Sequence, residues 1–394
     1  MERRTHLLVT SHGTVIVGGG IAGLACARRL HDRQRPFLLI TESVGGRIRR
    51  SIDGAANLGA YYVRSDYTNV NRFVDRGRRI RRRDILRGVS AGSFSRSDLP
   101  LVMHVPETVR FLRLMREFRR HYASFQRNCL HTSQEAAIDA DSYLRDLYRE
   151  PTNEFITRHR IETIARTYLA PAIHGTGFTS VDGLTAFTLL VAVLPTVIPM
   201  FEYTFRPDLL TDGFEGQLLF DSVTSLARTS EGYSVQTRSG DIHAARNVVV
   251  ATPVGVSAHL LDLGAVKSPI SAHMFHVKGR LLSPWAETIV TLFPPGETTF
   301  GIARQVDGSI VFCSASETPD FAKYFAAWTV VEHIIWCPAF HLLGDALLGC
   351  EQRPGLFLIG DHNVCTLEDA YITGLYAANR ILDSDSATGT WRMA

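Results

Sequence analysis

The chain has 394 residues, 45% of them hydrophobic and 21% charged, which allows one large or two ordinary globular domains around a sizeable core. A formal net charge of +3 is too small to suggest nucleic acid as a partner. Six cysteines (Cys26, Cys129, Cys313, Cys337, Cys350, Cys365) stand far apart, with no C-x-x-C pair and no histidine at ligand spacing. No metal site is expected, and a reducing, cytoplasmic setting fits best.

Arg3 and Arg4 invite comparison with an export signal, but no apolar run of signal length precedes the first organised stretch. That stretch is TVIVGGGIAGLACARRL, residues 14–30. Four strand-type residues, Thr14 to Val17, run into Gly18, Gly20 and Gly23 at G-x-G-x-x-G spacing, and a helical pattern through Ile21, Leu24, Ala25, Ala27 and Arg28 follows. Gly18 permits a tight turn, Gly20 admits a pyrophosphate against the backbone, and Gly23 lets helix and strand pack closely. A second strand, residues 36–41, ends at Glu42, where an acid accepts hydrogen bonds from ribose hydroxyls and repels a 2′-phosphate. The fingerprint alone leaves NAD and FAD both open.

Further on, residues 76–83 (RGRRIRRR) read as a solvated strand or loop, with an anion or partner site as the alternative. Residues 107–122, opened by Pro106, have apolar side chains at helical spacing with arginines opposite. Residues 142–148 and 153–169 continue the helical pattern, so residues of about 100–200 are expected to be a mostly helical insertion. Within it lies the longest apolar run, residues 184–201, which reads as a buried helix or the wall of an apolar channel. Pro195 and Pro199 interrupt it, and a span needs about 20 apolar residues. Strand signals return at 233–237, 247–251 and 272–312. The last block, residues 355–382, is a strand LFLIG, then Asp361, then a helix from Leu367 with Thr366 and Asp369 in capping-box spacing.

Taken in order, GGGIAG, Glu42, VGGRI, NLGAYYV, NVVVATP and GDHNVCTLEDAYITGLYAANRIL resemble the flavin-containing amine oxidoreductases, a superfamily that includes amine oxidases, protoporphyrinogen oxidase and carotenoid desaturases. The match is strong over residues 12–65 and 355–382, weaker over 220–255, and faint between. The resemblance implies an α/β fold: an FAD-binding Rossmann-like (GR2-type) nucleotide domain with an inserted mixed helical and β-sheet substrate domain. Residues 1–95, 205–260 and 345–394 would form the discontinuous FAD-binding domain, and 96–204 with 261–344 the substrate-binding domain.

The implied activity is FAD-dependent oxidation, by hydride transfer, of a small amine, an amino-acid-like molecule or an apolar biosynthetic intermediate. Oxygen or an unknown acceptor would take the electrons. The alternative is a non-redox flavin-dependent isomerase or GDI-like binding protein on the same fold. The chain would have no stable membrane span, with peripheral membrane contact open to it.

By the same resemblance, Gly18, Gly20, Ile21, Ala22 and Gly23 would meet the pyrophosphate, Glu42 the adenosine ribose, and Gly46 with Arg47 pyrophosphate or ribityl oxygens. Gly59 and Ala60 would pass beside the isoalloxazine, Val223 would offer backbone to adenine, and Gly360, Asp361 and Ile372 would border the ribityl chain and ring. Tyr61, His362 and Lys278 are the catalytic candidates, Lys278 as the lysine near flavin N5. Tyr62, His174, Trp336, Phe340, Asn363 and Tyr371 are further pocket candidates. Glu42 stands only three residues before Gly45, a shorter connection than the superfamily's. The absence of an SGGCY-like segment implies noncovalent flavin, with Cys337 the one cysteine to test for attachment.

Overall fold

In the computed structural model, which describes residues 9–90, 92–96 and 99–388, strands from both ends of the chain meet in one eight-stranded sheet. Val9–Val17 lies at its centre, parallel to Phe37–Thr41 on one side and to Ile242–Val250 on the other. Leu218–Phe220 extends the sheet beyond Phe37–Thr41, and Leu356–Leu358 adds in parallel beside Ile242–Val250. The hairpin Val223–Arg228 and Tyr233–Thr237 attaches antiparallel to the first half of Ile242–Val250. Val15, Ile16, Leu39, Val248, Val249 and Val250 have no exposed surface, the continuous apolar pattern of strands covered on both faces. Helices Ile21–Asp32 and Leu367–Thr388 cover one face together, joining Ala22, Ala25 and Cys26 to Ala377 and Ala378 in one core.

The helical insertion is centred on Val105–Asn128, whose Phe111, Met115, Phe118, Tyr122 and Phe125 form a buried stripe at helical spacing. Phe187 packs against Phe118, Tyr122 and Phe125. The apolar run 184–201 is buried but shorter in helix than its composition suggests. Thr185 caps a helix of only seven residues, Ala186–Ala192, followed by a tight turn at Leu194–Thr196 and the strand Met200–Phe205. Prolines 195 and 199 cannot donate to a continuing helix, which explains the break. No described helix is long and apolar enough to cross a membrane.

A second, seven-stranded sheet is ordered Phe325–Leu343, Ser268–Leu281, Ile310–Ser314, Thr299–Arg304, Val290–Leu292, Ile85–Ser90 and Ser93–Ser95. Its last two strands fall inside the stretch 1–95 that the motifs group with the nucleotide fold. Their place here has a simple cause: Ile85 pairs with Val290 in parallel register and buries against it, with Leu292 in the same core. Between the two sheets lies a three-stranded antiparallel sheet of Val63–Arg64, Met200–Phe205 and Val74–Ile80. The arginine run enters Val74–Ile80 as a solvated strand, with Arg76, Arg78 and Arg79 exposed between buried Val74 and Ile80.

Candidate functional site

The glycine turn, Glu42 and Gly360–Asp361 all follow parallel strands of the eight-stranded sheet at their carboxyl ends, the edge where such sheets bind ligands. Gly18 makes the turn at φ +110°, and Gly23 lies under its carbonyl. Helix Ile21–Asp32 begins at Gly20 with no side-chain cap, so the amides of its first turn, Ile21, Ala22 and Gly23, have no intrahelical acceptor. A Cβ placed on Gly20 would meet nothing within 4 Å. An uncapped helix end beside open space is the donor set a pyrophosphate requires, so these residues fit a dinucleotide.

The short connection after Glu42 braces this turn. The Gly45 amide donates to the Gly19 carbonyl at 2.8 Å, and the Gly19 amide donates to Thr41 Oγ1 at 2.9 Å. Gly46 follows directly over Gly20, where a Cβ would stand 3.1 Å from the Gly20 Cα. The Glu42 carboxylate is largely exposed. Ser222 Oγ donates to its Oε1, as does Arg238 Nη2 at 3.2 Å, so both contacts fall on one oxygen. Val223 follows in the adjoining edge hairpin, half-buried.

Arg47 reaches across to the far end of the chain. Its Nη1 and Nη2 donate to Asp361 Oδ2 and Oδ1 at 2.7 and 2.6 Å, and Nη1 also donates to the Ala339 carbonyl at 2.7 Å. Burial alone would raise the Asp361 carboxyl; the guanidinium outweighs it and holds the group below the usual carboxylate range. Gly59 is fixed by the same arginine, because a Cβ there would stand 1.7 Å from the Arg47 carbonyl oxygen, and the Ala60 amide donates to that oxygen. The constraint on Gly59 thus comes from within the chain.

Beside Asp361, His362 is buried, and burial, with help from nearby Lys267, pushes its imidazole down to about 4. Lys267 is a residue that sequence reasoning passed over. It is only 4% exposed, its Nζ donates to the Asn363 carbonyl at 3.1 Å and sits 4.7 Å from the centre of the Tyr148 ring. Burial pushes its ammonium down to about 8 against the opposing pull of Cys365, Asp361 and Asp345. The available signal was its scarcity and setting: one of three lysines in the chain, in an uncharged stretch, GAVKSPI. Asn363 is structural, exchanging hydrogen bonds with the backbone of Leu348.

Tyr61 and Tyr62 follow the Gly59–Ala60 segment with their rings edge to face at 5.3 Å, and burial raises both phenols. Tyr61 lines a cavity of about 300 Å³ between the three-stranded and seven-stranded sheets. Tyr203, also in its wall, donates through its hydroxyl to the Ala60 carbonyl at 2.6 Å, tying cavity and segment together.

Other candidates lie elsewhere. Lys278 is mostly exposed, with its Nζ donating to Asp53 at 3.1 Å. His174 faces the Glu297 carbonyl at 3.1 Å and the Phe300 ring, and Trp336 donates to the Leu58 carbonyl at 2.6 Å. Phe340 packs on Phe178, Tyr371 stacks on Phe73, and Ile372 is core. Cys337 is exposed on the edge strand Phe325–Leu343.

Comparison with known proteins agrees with this architecture. The model of the NAD(P)-binding Rossmann-like domain matches residues 16–76. Wild-type putrescine oxidase bound to putrescine superposes with a TM-score of 0.67 at 14% identity, covering 95% of this chain and 100% of that one. Cyclohexylamine oxidase from Brevibacterium oxydans IH-35A gives 0.65 at 14% identity, covering 95% of this chain and 99% of that one. An oxidoreductase from Methanosarcina mazei gives 0.62 at 13% identity, over 94% of this chain and 100% of that one. No curated protein sequence matches the chain. At such identity the likeness establishes the fold: a Rossmann-like nucleotide sheet and a second sheet arranged as in the amine oxidases.

Proposed function

We propose that this chain binds FAD across the ends of its parallel strands and uses it to oxidise a small organic molecule held in the cavity beside Tyr61. The observation that carries this reading is the uncapped start of helix Ile21–Asp32, with open space at Gly20, on the same sheet edge as the Arg47–Asp361 pair. Bound FAD would supply two-electron oxidation by accepting a hydride from a carbon next to nitrogen, or from a saturated carbon–carbon bond.

The chain's own groups then have distinct tasks. The amides of Ile21, Ala22 and Gly23 hold the pyrophosphate, and the helix dipole adds to their attraction. Glu42 Oε2, which has no partner among the described residues, accepts from ribose hydroxyls. The Arg47–Asp361 pair, each held by the other, would border the ribityl chain and fix the position of that end of the site. His362 stays neutral at physiological pH and places no charge of its own beside the ring. The start of helix Leu367–Thr388, capped by Thr366 Oγ1 accepting from the Asp369 amide at 3.0 Å, offers the positive end of a second dipole. Tyr61 keeps its phenolic proton and forms a wall of the reaction chamber. Lys278, exposed and bound to Asp53, has no task in this scheme.

The test is the visible spectrum of the purified protein, followed by denaturation and then by anaerobic addition of candidate substrates. Flavin bands, release of the chromophore on unfolding, and bleaching by an amine or a saturated intermediate are the expected results. A protein that stays colourless after incubation with FAD would overturn the cofactor. A yellow protein that no such substrate bleaches would favour the non-redox isomerase or carrier over the oxidase.

A further inference from the structure

The charges around the cavity beside Tyr61 are unequally matched. Two arginines line it, Arg50 and Arg304. Arg50 is exposed and its guanidinium has no polar partner among the described residues. Arg304 is half-buried, its Nη1 donates to the Ala286 carbonyl at 3.0 Å, and no carboxylate pairs with it among the described residues. The two lining carboxylates are both engaged. Glu202 accepts a bidentate contact from Arg78, at 2.7 and 3.1 Å, and Asp307 at the rim accepts from the amide and hydroxyl of Ser309, at 3.0 and 2.7 Å. Gly77, another lining residue, lies between exposed Arg76 and the Glu202-bound Arg78 on strand Val74–Ile80, with exposed Arg79 two residues on.

Tyr61, Ile80, Ile289, Val290 and Ala303 give the cavity an apolar and aromatic side, next to the polar Asn57, Thr204 and Gln305. Asn57 holds the walls in place, its Nδ2 donating to the Tyr203 carbonyl at 2.8 Å and its amide meeting Gln305 Oε1 at 3.4 Å. With Glu202 neutralised by Arg78, two guanidinium groups face, among the described residues, the single unpaired, exposed carboxylate of Asp307 and leave a net positive cavity with an apolar side, suited to a small molecule with a carboxylate at one end and hydrocarbon at the other.

We propose that this cavity binds an organic carboxylate, with Arg50 and Arg304 gripping the anion and the Tyr61 side taking the apolar end. The substrate of this chain is then an acidic molecule, in contrast to the putrescine bound by the putrescine oxidase whose fold it shares. This inference rests on the proposed oxidation only in naming the bound anion as the substrate; the binding itself does not depend on it.

Benzoate and benzylamine share a ring and differ in the sign of the charge, so the test is calorimetric titration of each into the purified protein, with the visible spectrum recorded on the same sample. Benzoate is expected to bind and benzylamine not. Arg304→Gln and Arg50→Gln should each weaken benzoate at least about tenfold, while Asp307→Asn leaves it unchanged or tighter. Added salt should weaken it most in the wild type. Arg50 is exposed, so its variant remains informative if Arg304→Gln fails to fold. Binding of benzylamine in preference to benzoate, binding of neither, or benzoate affinity indifferent to both arginines would overturn the proposal. Benzoate binding without flavin bands would instead remove the FAD reading and leave the anion site standing. Flavin bands without benzoate binding would do the reverse.

Discussion

Arg47 and Asp361, 314 positions apart in the chain, hold each other through two hydrogen bonds at 2.6 and 2.7 Å. Each is less than one-third exposed, so removing one leaves the other poorly hydrated and without its counter-charge. Asp361→Ala is expected to lower stability by about 2–3 kcal/mol, the range for hydrogen bonds to charged groups. Arg47→Met should cost a similar amount, and the double variant should cost less than the sum. Urea denaturation of the four proteins checks this, and strictly additive losses would show that the pair is not coupled.

Two glycines separate folding from binding. Gly20→Ala meets open space at an ordinary φ of −73°, so the flavin-free variant should melt with nearly the same Tm as flavin-free wild type yet fail to retain flavin, because the methyl group enters the space assigned to pyrophosphate. Gly59→Ala drives a methyl group into the Arg47 carbonyl and should give insoluble or markedly destabilised protein. Thermal melts together with the flavin-to-protein absorbance ratio distinguish the two. Flavin retention in Gly20→Ala would move the cofactor away from this turn.

Lys267 should leave a mark on stability at alkaline pH. Its ammonium titrates near 8 in the folded chain and near the ordinary lysine value when unfolded. Between those two values the unfolded chain binds more protons, so stability contributed through this group rises with pH. The wild type should therefore gain stability relative to Lys267→Met from about pH 8 to pH 10. Denaturation midpoints at the two pH values measure the difference, and a constant offset would place Lys267 outside the buried setting described.

His362 acts in the acid range by the same logic. Buried neutral, with its imidazole at about 4, it lets the unfolded chain take up a proton first as pH falls below the usual histidine value. Stability is expected to fall between about pH 6.5 and pH 4, and less steeply in His362→Gln. Chemical denaturation across that window, wild type against variant, reads the contribution directly.

The parts of this site that were legible in the sequence are those where backbone geometry alone restricts the residue. The glycine turn, Gly45–Gly46–Arg47 and the turn after Leu356–Leu358 each need local conformations that few residues satisfy, so their spacing is informative without any partner. Ile85–Ser90 carries no such mark. Its sheet is chosen by Val290, some two hundred residues later, and the arginine run just before it hides the start of an apolar strand. The depth of Lys267 was equally hidden, because its burial depends on Tyr148 and on the loop at Asn363, which come from opposite sides of it in the chain. The imbalance of charge around the cavity was hidden too: Arg50 and Arg304 look like any other surface arginines until Arg78 is seen to occupy Glu202.

Strand Leu356–Leu358 has a consequence for how the molecule comes into being. It lies beside Val248–Val250, yet it is synthesised about a hundred residues after them, together with the aspartate that pairs with Arg47. During translation the glycine turn emerges early, while the edge of Ile242–Val250 and a cationic side chain wait for partners still inside the ribosome. The cofactor pocket therefore matures last, and dinucleotide supplied during synthesis would have nothing complete to bind. A ribosome stalled before residue 356 should hold a chain with an open, apolar strand edge, dependent on chaperones and blind to flavin, whereas one stalled after helix Leu367–Thr388 has left the exit tunnel should already capture it.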